Sequence, residues 1–450
     1  MRKSKKKLLG IVIYLTLFMF IIGGPFYLYY LQPKIADHNK AQIEPSWTGV
    51  ISFWDFPRLD RDSGTNFRWI YEKIQDFEKE NPGVYINFQT LDWEKGTVKL
   101  DTAIKMGNPP DIIPIGSDYS ILGQEILEPL DTYLTEEEVE KFRENVIEAV
   151  TYNGQIWAMP WMMTTYTMVL NLDLFHERGV EPPVDGNWSY DEFVEKMQRL
   201  TYDSKGRGKA DYFGFNSFVQ SGYYNIWGFL LSDGAEIINK NQQYVFTDDS
   251  AQSGVEKIID LKYKYGVTPT NFGENTSNAA WTSFYQDQNI AVYPVGTWAL
   301  NVLDSLIKEG VGFEYTIANY PTGELGVPIS ISSGIGAYGV KKQVDDKKLQ
   351  VCVNFLKYLT DDKYQMELDR LGVFPVKKTV GNIYEGNALM TMLYNNLDNT
   401  KMIPPHPYWK EIDNILQNEI RLGLLGKKTA EEILREVNQK VELLLNTIGK

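Results

Sequence analysis

The spacing of apolar residues predicts strands that alternate with helices from residue 47 onward. Phe67, Ile70, Ile74 and Phe77 recur at helical intervals and predict one apolar helix face. The sequence "NPG" at 81–83 is expected to end that helix, because proline and glycine interrupt helical geometry. After about residue 345 the pattern is mostly helical.

Short apolar runs between the helices predict strands. They read "GVISFWDF", "VYINFQTL", "DIIPIG" and "NIAVYPV". Strands that alternate with helices favour an α/β fold with parallel sheets. The 450 residues exceed the roughly 250–300 that one core supports, so we expect two lobes and a ligand cleft between them.

Polar residues mark the predicted helix starts. Thr135 with Glu138, and Ser189 with Glu192, have the spacing of capping boxes. Ser250 is expected to cap the helix that follows it.

The N-terminus predicts a membrane anchor. Residues 1–7 include five basic side chains, and residues 8–31 then run without a charge. At about 1.5 Å per residue, such a helix can span a hydrocarbon core of about 30 Å. The basic flank predicts that residues 1–7 are cytoplasmic, and residues 32–46 form a polar linker. A cleaved signal peptide is the alternative, but its apolar region would be about 7–15 residues long and end at an A-x-A-like site.

The net charge and the cysteine content limit which partners and which thiol chemistry are expected. The net charge is −14 although the N-terminus is basic, so the rest of the chain is strongly acidic. Such a surface repels phosphate backbones, and we expect no nucleic-acid partner. The single cysteine, Cys352, lies in the helical apolar pattern "LQVCVNFLKYL", which predicts a buried thiol.

Motifs for cofactor, metal or nucleophile chemistry are weak. "SSGIGAYG" contains a G-x-G-x-x-G spacing, but the sequence after it continues as a strand and opens no helix directly. The three histidines do not form a metal pair, and G-x-S-x-G is absent. We therefore predict no cofactor and no metal. A carboxylate pair of the kind that glycosidases use stays open, since sequence spacing cannot reveal it.

One long segment carries a family resemblance. "TYNGQIWAMPWMMTTYTMVLNLDLFHERGVEPPVDGNWSYDEF" (151–193) resembles the cleft-crossing segment of extracellular solute-binding proteins of ABC importers. The most similar group includes maltose, multiple-sugar and glycerol-phosphate binding proteins. Five further segments match in order: "ISFWDF", "MGNPPDIIPIGSD", "FYQDQNIAVYPVGTW", "SISSGIGAYGV" and "MIPPHPYWKEIDNIL".

The resemblance implies a type II, two-lobed periplasmic-binding-protein-like fold. Lobe one would comprise residues 47–162 and 319–376, and lobe two residues 163–318 and 377–450. Hinge strands would connect the lobes, and the protein would be a monomer.

The same resemblance implies a set of ligand-binding residues. Aromatic rings pack on the apolar face of a pyranose, while carboxylates and arginine bond its hydroxyls. The positions that match the cleft are Trp54, Asp55, Arg58, Asp118, Trp161, Thr164, Tyr224, Trp227, Trp298 and Trp409. Thr164 stands where relatives carry a carboxylate, which argues against long maltose-like glucans.

The function implied is capture of a carbohydrate, expected to be an oligosaccharide, by lobe closure and its delivery to an ABC permease in the same membrane. The permease and its ATPase would be separate chains, and this chain would not be an enzyme. A ligand-sensing protein for a membrane receptor is one alternative, and a surface glycosidase or lyase is another. The identity of the sugar, or a non-sugar ligand, stays open.

Overall fold

The computed structural model of the protein describes residues 47–116, 121–122, 125–332 and 335–448. The predicted cytoplasmic tail, anchor and linker, residues 1–46, lie outside the described residues, as does Asp118. Within the described ranges, no helix combines the length and apolar character that crossing a membrane requires.

The strands are short, and most lie in two sheets. In chain order they are β1 Gly49–Asp55, β2 Leu59–Asp60, β3 Thr65–Asn66, β4 Val84–Thr90, β5 Ile112–Pro114, β6 Thr151–Tyr152, β7 Gln155–Ile156, β8 Met159–Met163, β9 Tyr166–Asn171, β10 Phe213–Phe215, β11 Ile290–Gly296, β12 Tyr315–Ala318, β13 Ser330–Ile331, β14 Ile335–Val340 and β15 Thr400–Lys401.

Helices connect and cover these strands. In chain order they are α1 Arg68–Glu80, α2 Gly96–Lys105, α3 Glu136–Glu140, α4 Glu144–Glu148, α5 Leu172–Arg178, α6 Tyr190–Arg199, α7 Trp227–Leu230, α8 Asp249–Tyr263, α9 Ser277–Tyr285, α10 Trp298–Lys308, α11 Asp346–Leu359, α12 Asp362–Gln365, α13 Ala388–Asn395, α14 Trp409–Leu424 and α15 Ala430–Ile448.

The first sheet has the strand order β4-β1-β5-β14-β8. β1 pairs in parallel with β4 along its whole length, from Gly49 opposite Val84 to Asp55 opposite Thr90. The loops after β1 and β4 therefore leave the sheet at the same edge. Ligands of open α/β sheets bind beyond the carboxyl ends of parallel strands, so this edge is where a site is expected.

The second sheet has the strand order β10-β11-β9-β12. β8 belongs to the first sheet and β9 to the second, so the chain passes between the sheets through Thr164 and Thr165. The lobe boundaries drawn from the family resemblance stay a prediction.

Both sheets are mixed, and the expectation of parallel sheets is wrong in this respect. β14 is antiparallel to β5 and to β8, and β9 is antiparallel to β11 and to β12. A crossover helix within one sheet makes the next strand parallel. A strand that returns from another sheet has no such restriction, and the local pattern does not reveal its direction.

Several local predictions are confirmed and others are corrected. Thr135 forms the predicted capping box. Ser189 caps α6 through the backbone N–H of Glu192, but the predicted box is incomplete, because the Glu192 carboxylate pairs with Lys196 instead. Ser250 is not the cap of α8, because the carboxylate of Asp248 accepts the bond from the backbone N–H of Ala251.

Phe67 is not part of α1, although the helical pattern included it. Its φ of 66° places it in the left-handed region, and α1 begins at the next residue. The ring packs edge-on against Phe88 of β4, with the centroids 5.7 Å apart. The rest of the apolar face, including Ile70, Ile74 and Phe77, is buried as predicted.

Candidate ligand-binding site

An acidic and a basic residue meet directly after β1. The Oδ2 atom of Asp55, which is 2% exposed, accepts hydrogen bonds from Nη1 of Arg58 at 2.7 Å and from the hydroxyl of Tyr338 at 2.6 Å. Burial and the Asp55 carboxylate raise the pKa of Tyr338, which keeps that hydroxyl protonated as a donor. Leu91, just after β4, donates its backbone N–H to the carbonyl of Asp55 and ties the two loops together.

Stacked aromatic rings adjoin this ion pair. Trp161 of β8 stacks with Trp69 of α1, with centroids 5.0 Å apart, and with Tyr338 of β14, with centroids 5.7 Å apart. The guanidinium carbon of Arg58 lies 5.0 Å from the Trp161 ring centroid, within the range of a cation–π contact. The family resemblance implied Trp161 and Arg58 separately as ligand-binding positions, and the structure brings the two side chains together.

Gly336 of β14 makes the position of Trp161 possible. A Cβ at Gly336 would lie 2.8 Å from Nε1 of Trp161 and 2.6 Å from Cγ of Met162. Real Cβ atoms essentially never lie so close, so a larger residue here would force Met162 or Trp161 to shift. Gly336 therefore makes room for aromatic packing against β14.

These residues surround a small pocket of about 230 Å³, counting the space at its open mouth. Its lining is mostly aromatic and apolar: Asp55, Phe56, Arg58, Phe67, Trp69, Ile70, Trp161 and Leu371. Most of that volume is open solvent or gaps too narrow for a molecule, and the pocket as it stands has room for about one water, so it must widen to admit a sugar unit.

Three buried polar atoms of the lining have no hydrogen-bond partner within the described part of the chain. They are Oδ1 of Asp55, Nε1 of Trp69 and Nε1 of Trp161. A buried polar group without a partner costs about 1–3 kcal/mol, so each of the three is a position where a bound polar group would gain a hydrogen bond. A hydroxyl group can donate to a carboxylate and accept from an indole N–H, and it matches this set. Because the atoms are buried, a ligand reaches them only when the pocket widens.

Comparison with known proteins identifies the family. Residues 61–366, about two thirds of the chain, match the family of bacterial extracellular solute-binding proteins. The chain belongs to this family. The resemblance inferred from the sequence is thereby confirmed, as is the prediction of a binding protein rather than an enzyme.

Individual relatives cover most of the solute-binding protein. A binding protein from Brucella abortus (strain 2308) is 26% identical over 395 residues, which are 83% of this chain and 89% of the relative. The diacetylchitobiose binding protein DasA from Streptomyces coelicolor is 23% identical over 392 residues, 84% of this chain and 85% of the relative.

A solved structure gives the fold. The ABC substrate-binding protein Lmo0181 from Listeria monocytogenes, in complex with cycloalternan, is similar with a TM-score of 0.71 and 18% identity, over 90% of this chain and 100% of that one. The solute-binding protein therefore has the two-lobed α/β fold of periplasmic binding proteins.

A second group of predicted site residues forms a buried cluster. Tyr224, Trp227 and Trp409 are at most 2% exposed, and their ring centroids are 5.3–6.5 Å apart. The indole N–H of Trp409 donates to the hydroxyl of Tyr224 at 3.0 Å. The rings cover one another here, so their contact with a ligand stays a prediction.

Asp413 holds the backbone of residues 221–222, just before Tyr224, in place. It accepts hydrogen bonds from the hydroxyl of Ser221 and the backbone N–H of Gly222, both at 2.7 Å, through Oδ2. Burial raises the pKa of Asp413. No sequence pattern singles out Asp413, because it is one polar position among others on α14.

Two of the remaining predicted residues, Thr164 and Trp298, flank a contact at the passage between the sheets, where the backbone N–H of Thr297 donates to the carbonyl of Thr165 at 3.1 Å. Trp298 begins α10 and is 47% exposed, whereas Thr164 is buried at the passage between the sheets. Trp54 is half-buried, and the ammonium of Lys99 lies 5.1 Å from its ring centroid. Of this group, Trp298 offers the most accessible ring.

Proposed function

We propose that this solute-binding protein captures a carbohydrate, expected to be an oligosaccharide, for an ABC importer. Binding would take place between the two lobes and would be accompanied by their closure, a hinge motion of the kind that such proteins undergo. The pocket between Asp55, Arg58 and Trp161 would hold one sugar unit.

The chemistry of the pocket carries this proposal. A carboxylate acceptor and two indole donors, in a lining that is otherwise mostly aromatic and apolar, suit a neutral molecule that has both hydroxyl groups and apolar C–H groups. A sugar has both properties. The ion pair with Arg58 and the hydrogen bond from Tyr338 would hold the carboxylate in place.

The names of relatives support the same ligand class. One relative is a diacetylchitobiose binding protein, and one structural neighbour is in complex with cycloalternan. Both ligands are built from linked sugar units.

Membrane attachment and delivery complete the proposal. The charge-free segment 8–31 behind a basic flank would anchor the protein with its binding region outside the cell. A tether raises the effective concentration of the binding protein at a permease in the same membrane without new contacts. Co-purification with a permease supports this step, whereas co-purification with a membrane kinase would favour the sensor.

The test is calorimetric titration of the purified full-length protein with diacetylchitobiose, maltotriose and cycloalternan, followed by product analysis of each mixture. Saturable binding of an unchanged ligand is the expected result. Cleavage of the ligand would establish a glycosidase instead, and failure to bind any of the three would contradict the proposal.

A matched pair of variants tests the pocket. Asp55→Asn removes the carboxylate that lines it, and we expect weaker sugar binding. Asp233→Asn removes another buried carboxylate, which pairs with Lys257 at 2.6 Å and does not line the pocket. Equal loss of affinity in both variants would indicate general destabilisation rather than a binding role for Asp55.

A further inference from the structure

Trp93 is an exposed aromatic residue beside the pocket that the family resemblance did not single out. Its side chain is 66% exposed. One face of the indole is stacked on Phe56, with centroids 4.6 Å apart and an interplanar angle of 16°. Phe56 itself lines the pocket, so Trp93 lies one ring further out.

The loop that carries Trp93 has a defined conformation. Oδ1 of Asp92 accepts hydrogen bonds from the backbone N–H groups of Glu94 at 3.0 Å and Lys95 at 2.7 Å. The carbonyl of Asp92 accepts another bond from Gly96 at 2.9 Å, which leads into α2. These bonds hold the backbone on both sides of the indole.

Glycine is required where Phe56 meets this loop. A Cβ at Gly96 would lie 2.8 Å from Cε1 of Phe56 and 2.9 Å from Cβ of Leu91. The absence of a side chain at Gly96 therefore lets Phe56 lie flat beneath Trp93. The two rings form a preorganised pair at the carboxyl ends of β1 and β4.

A single exposed apolar side chain is ordinary on a protein surface and needs no ligand. Trp93 differs because its ring is held by a hydrogen-bonded loop and by a stacking partner, Phe56, that itself lines the pocket. An indole with one face covered and most of its surface in solvent is suited to stack on the flat apolar face of a sugar.

We propose that Trp93 is the platform of an outer subsite, on which a second sugar unit stacks when the first occupies the pocket. This inference rests on the proposed function and adds the position of the next unit. Such a subsite would favour binding of linked sugars over single ones, because only a longer ligand reaches both the pocket and Trp93.

The test compares four forms of the full-length protein: wild type, Trp93→Ala, Trp93→Phe and Tyr85→Ala. Tyr85 is a matched control, since it is 62% exposed and lies near the opposite end of β4. The probes are diacetylchitobiose with N-acetylglucosamine, and maltotriose with glucose. Each is titrated by calorimetry, and thermal melting verifies that each variant is folded.

We expect Trp93→Ala to weaken binding of the longer probe by about fivefold or more, the effect of losing a binding residue worth over about 1 kcal/mol. Trp93→Phe should keep most of the affinity, and Tyr85→Ala should match the wild type. Affinity for a single sugar should be the same in all four forms. Equal affinity of wild type and Trp93→Ala for the longer probe would overturn the subsite while leaving the proposed function intact.

A second measurement needs no variant. In the wild-type protein, oxidative footprinting of tryptophan read by mass spectrometry should show Trp93 protected by the longer probe and not by the single sugar. Unchanged oxidation of Trp93 at saturating ligand would overturn the subsite. Failure of the wild type to bind any probe would overturn the proposed function, and this inference with it.

Discussion

Trp409 donates its indole N–H to the hydroxyl of Tyr224 over 3.0 Å, and both side chains are buried. Trp227 packs against both rings. The family resemblance suggested these residues as sugar platforms, whereas here they stabilise one another. The two roles predict different results when one of these residues is substituted. Replacing a core residue mainly lowers the stability of the protein, whereas replacing a sugar platform mainly lowers its affinity for carbohydrate.

Trp409→Phe is expected to lower the free energy of unfolding by about 1–3 kcal/mol. The substitution removes one hydrogen bond and leaves a cavity where the larger ring packed. Urea denaturation monitored by circular dichroism measures the change.

Tyr224→Phe is the control for the hydrogen bond itself. The double variant completes a cycle, and we expect a coupling energy of about 0.5–1.5 kcal/mol between the two side chains. Unchanged stability of Trp409→Phe together with lost carbohydrate binding would assign Trp409 to the ligand site instead.

The apolar pattern predicted four strands of the two main sheets correctly, because their apolar runs are bounded by turn residues. β1, β4, β5 and β11 all lie where the pattern placed them. The direction of a strand was not predictable. β14, for example, pairs with β8, which lies more than 170 residues earlier in the chain. Long-range pairing of this kind leaves no local pattern.

The candidate site was predictable only in part. Asp55, Arg58 and Trp161 carry the family resemblance and do meet in the structure. Trp69 was missed because it lies on the buried face of α1, where a pocket wall and a core position have the same helical spacing. Trp93 was missed because nothing in the sequence shows that a loop ring is held flat by its neighbour.

Gly336→Ala is expected to destabilise the protein by about 1–3 kcal/mol and to weaken carbohydrate binding. The added Cβ would collide with Trp161 and Met162, so the stacked rings must shift. Near-ultraviolet circular dichroism reports the tryptophan environment, and calorimetry reports the affinity.

Gly339→Ala provides the comparison on the same strand. Its Cβ would approach Leu127 and Ile115, which are not part of the pocket lining. Both variants should lose stability, but only Gly336→Ala should lose affinity. Identical carbohydrate affinities of the two variants would show that Trp161 does not contribute to ligand binding.

Cys352 is expected to be unreactive in the folded protein. It is fully buried on α11, as the sequence predicted, and burial raises the pKa of its thiol to about 12. Because the thiolate is the reactive form, a disulfide reagent at pH 8 should label no thiol in native protein and one thiol in guanidinium. Rapid labelling of the native protein would contradict this burial.

His406 is expected to make stability depend on pH. Burial lowers its pKa, and its Nδ1 accepts a hydrogen bond from the backbone N–H of Tyr408 at 3.1 Å, which requires that nitrogen to be unprotonated. The unfolded histidine titrates near about 6.5 and binds a proton before the folded one does. The contribution to stability is therefore complete above that pH and falls as the pH drops below it.

His406→Asn isolates this effect from the other titrating groups. The amide oxygen can accept the same backbone bond, but the side chain does not bind a proton between pH 7.5 and 5.5. Because both proteins share every carboxylate, the difference between their unfolding free energies reports His406 alone. The wild type should lose stability more steeply than the variant as the pH falls through this range. Parallel curves would show that His406 protonates equally well in the folded state, and the turn that precedes Trp409 would then have to rearrange without cost.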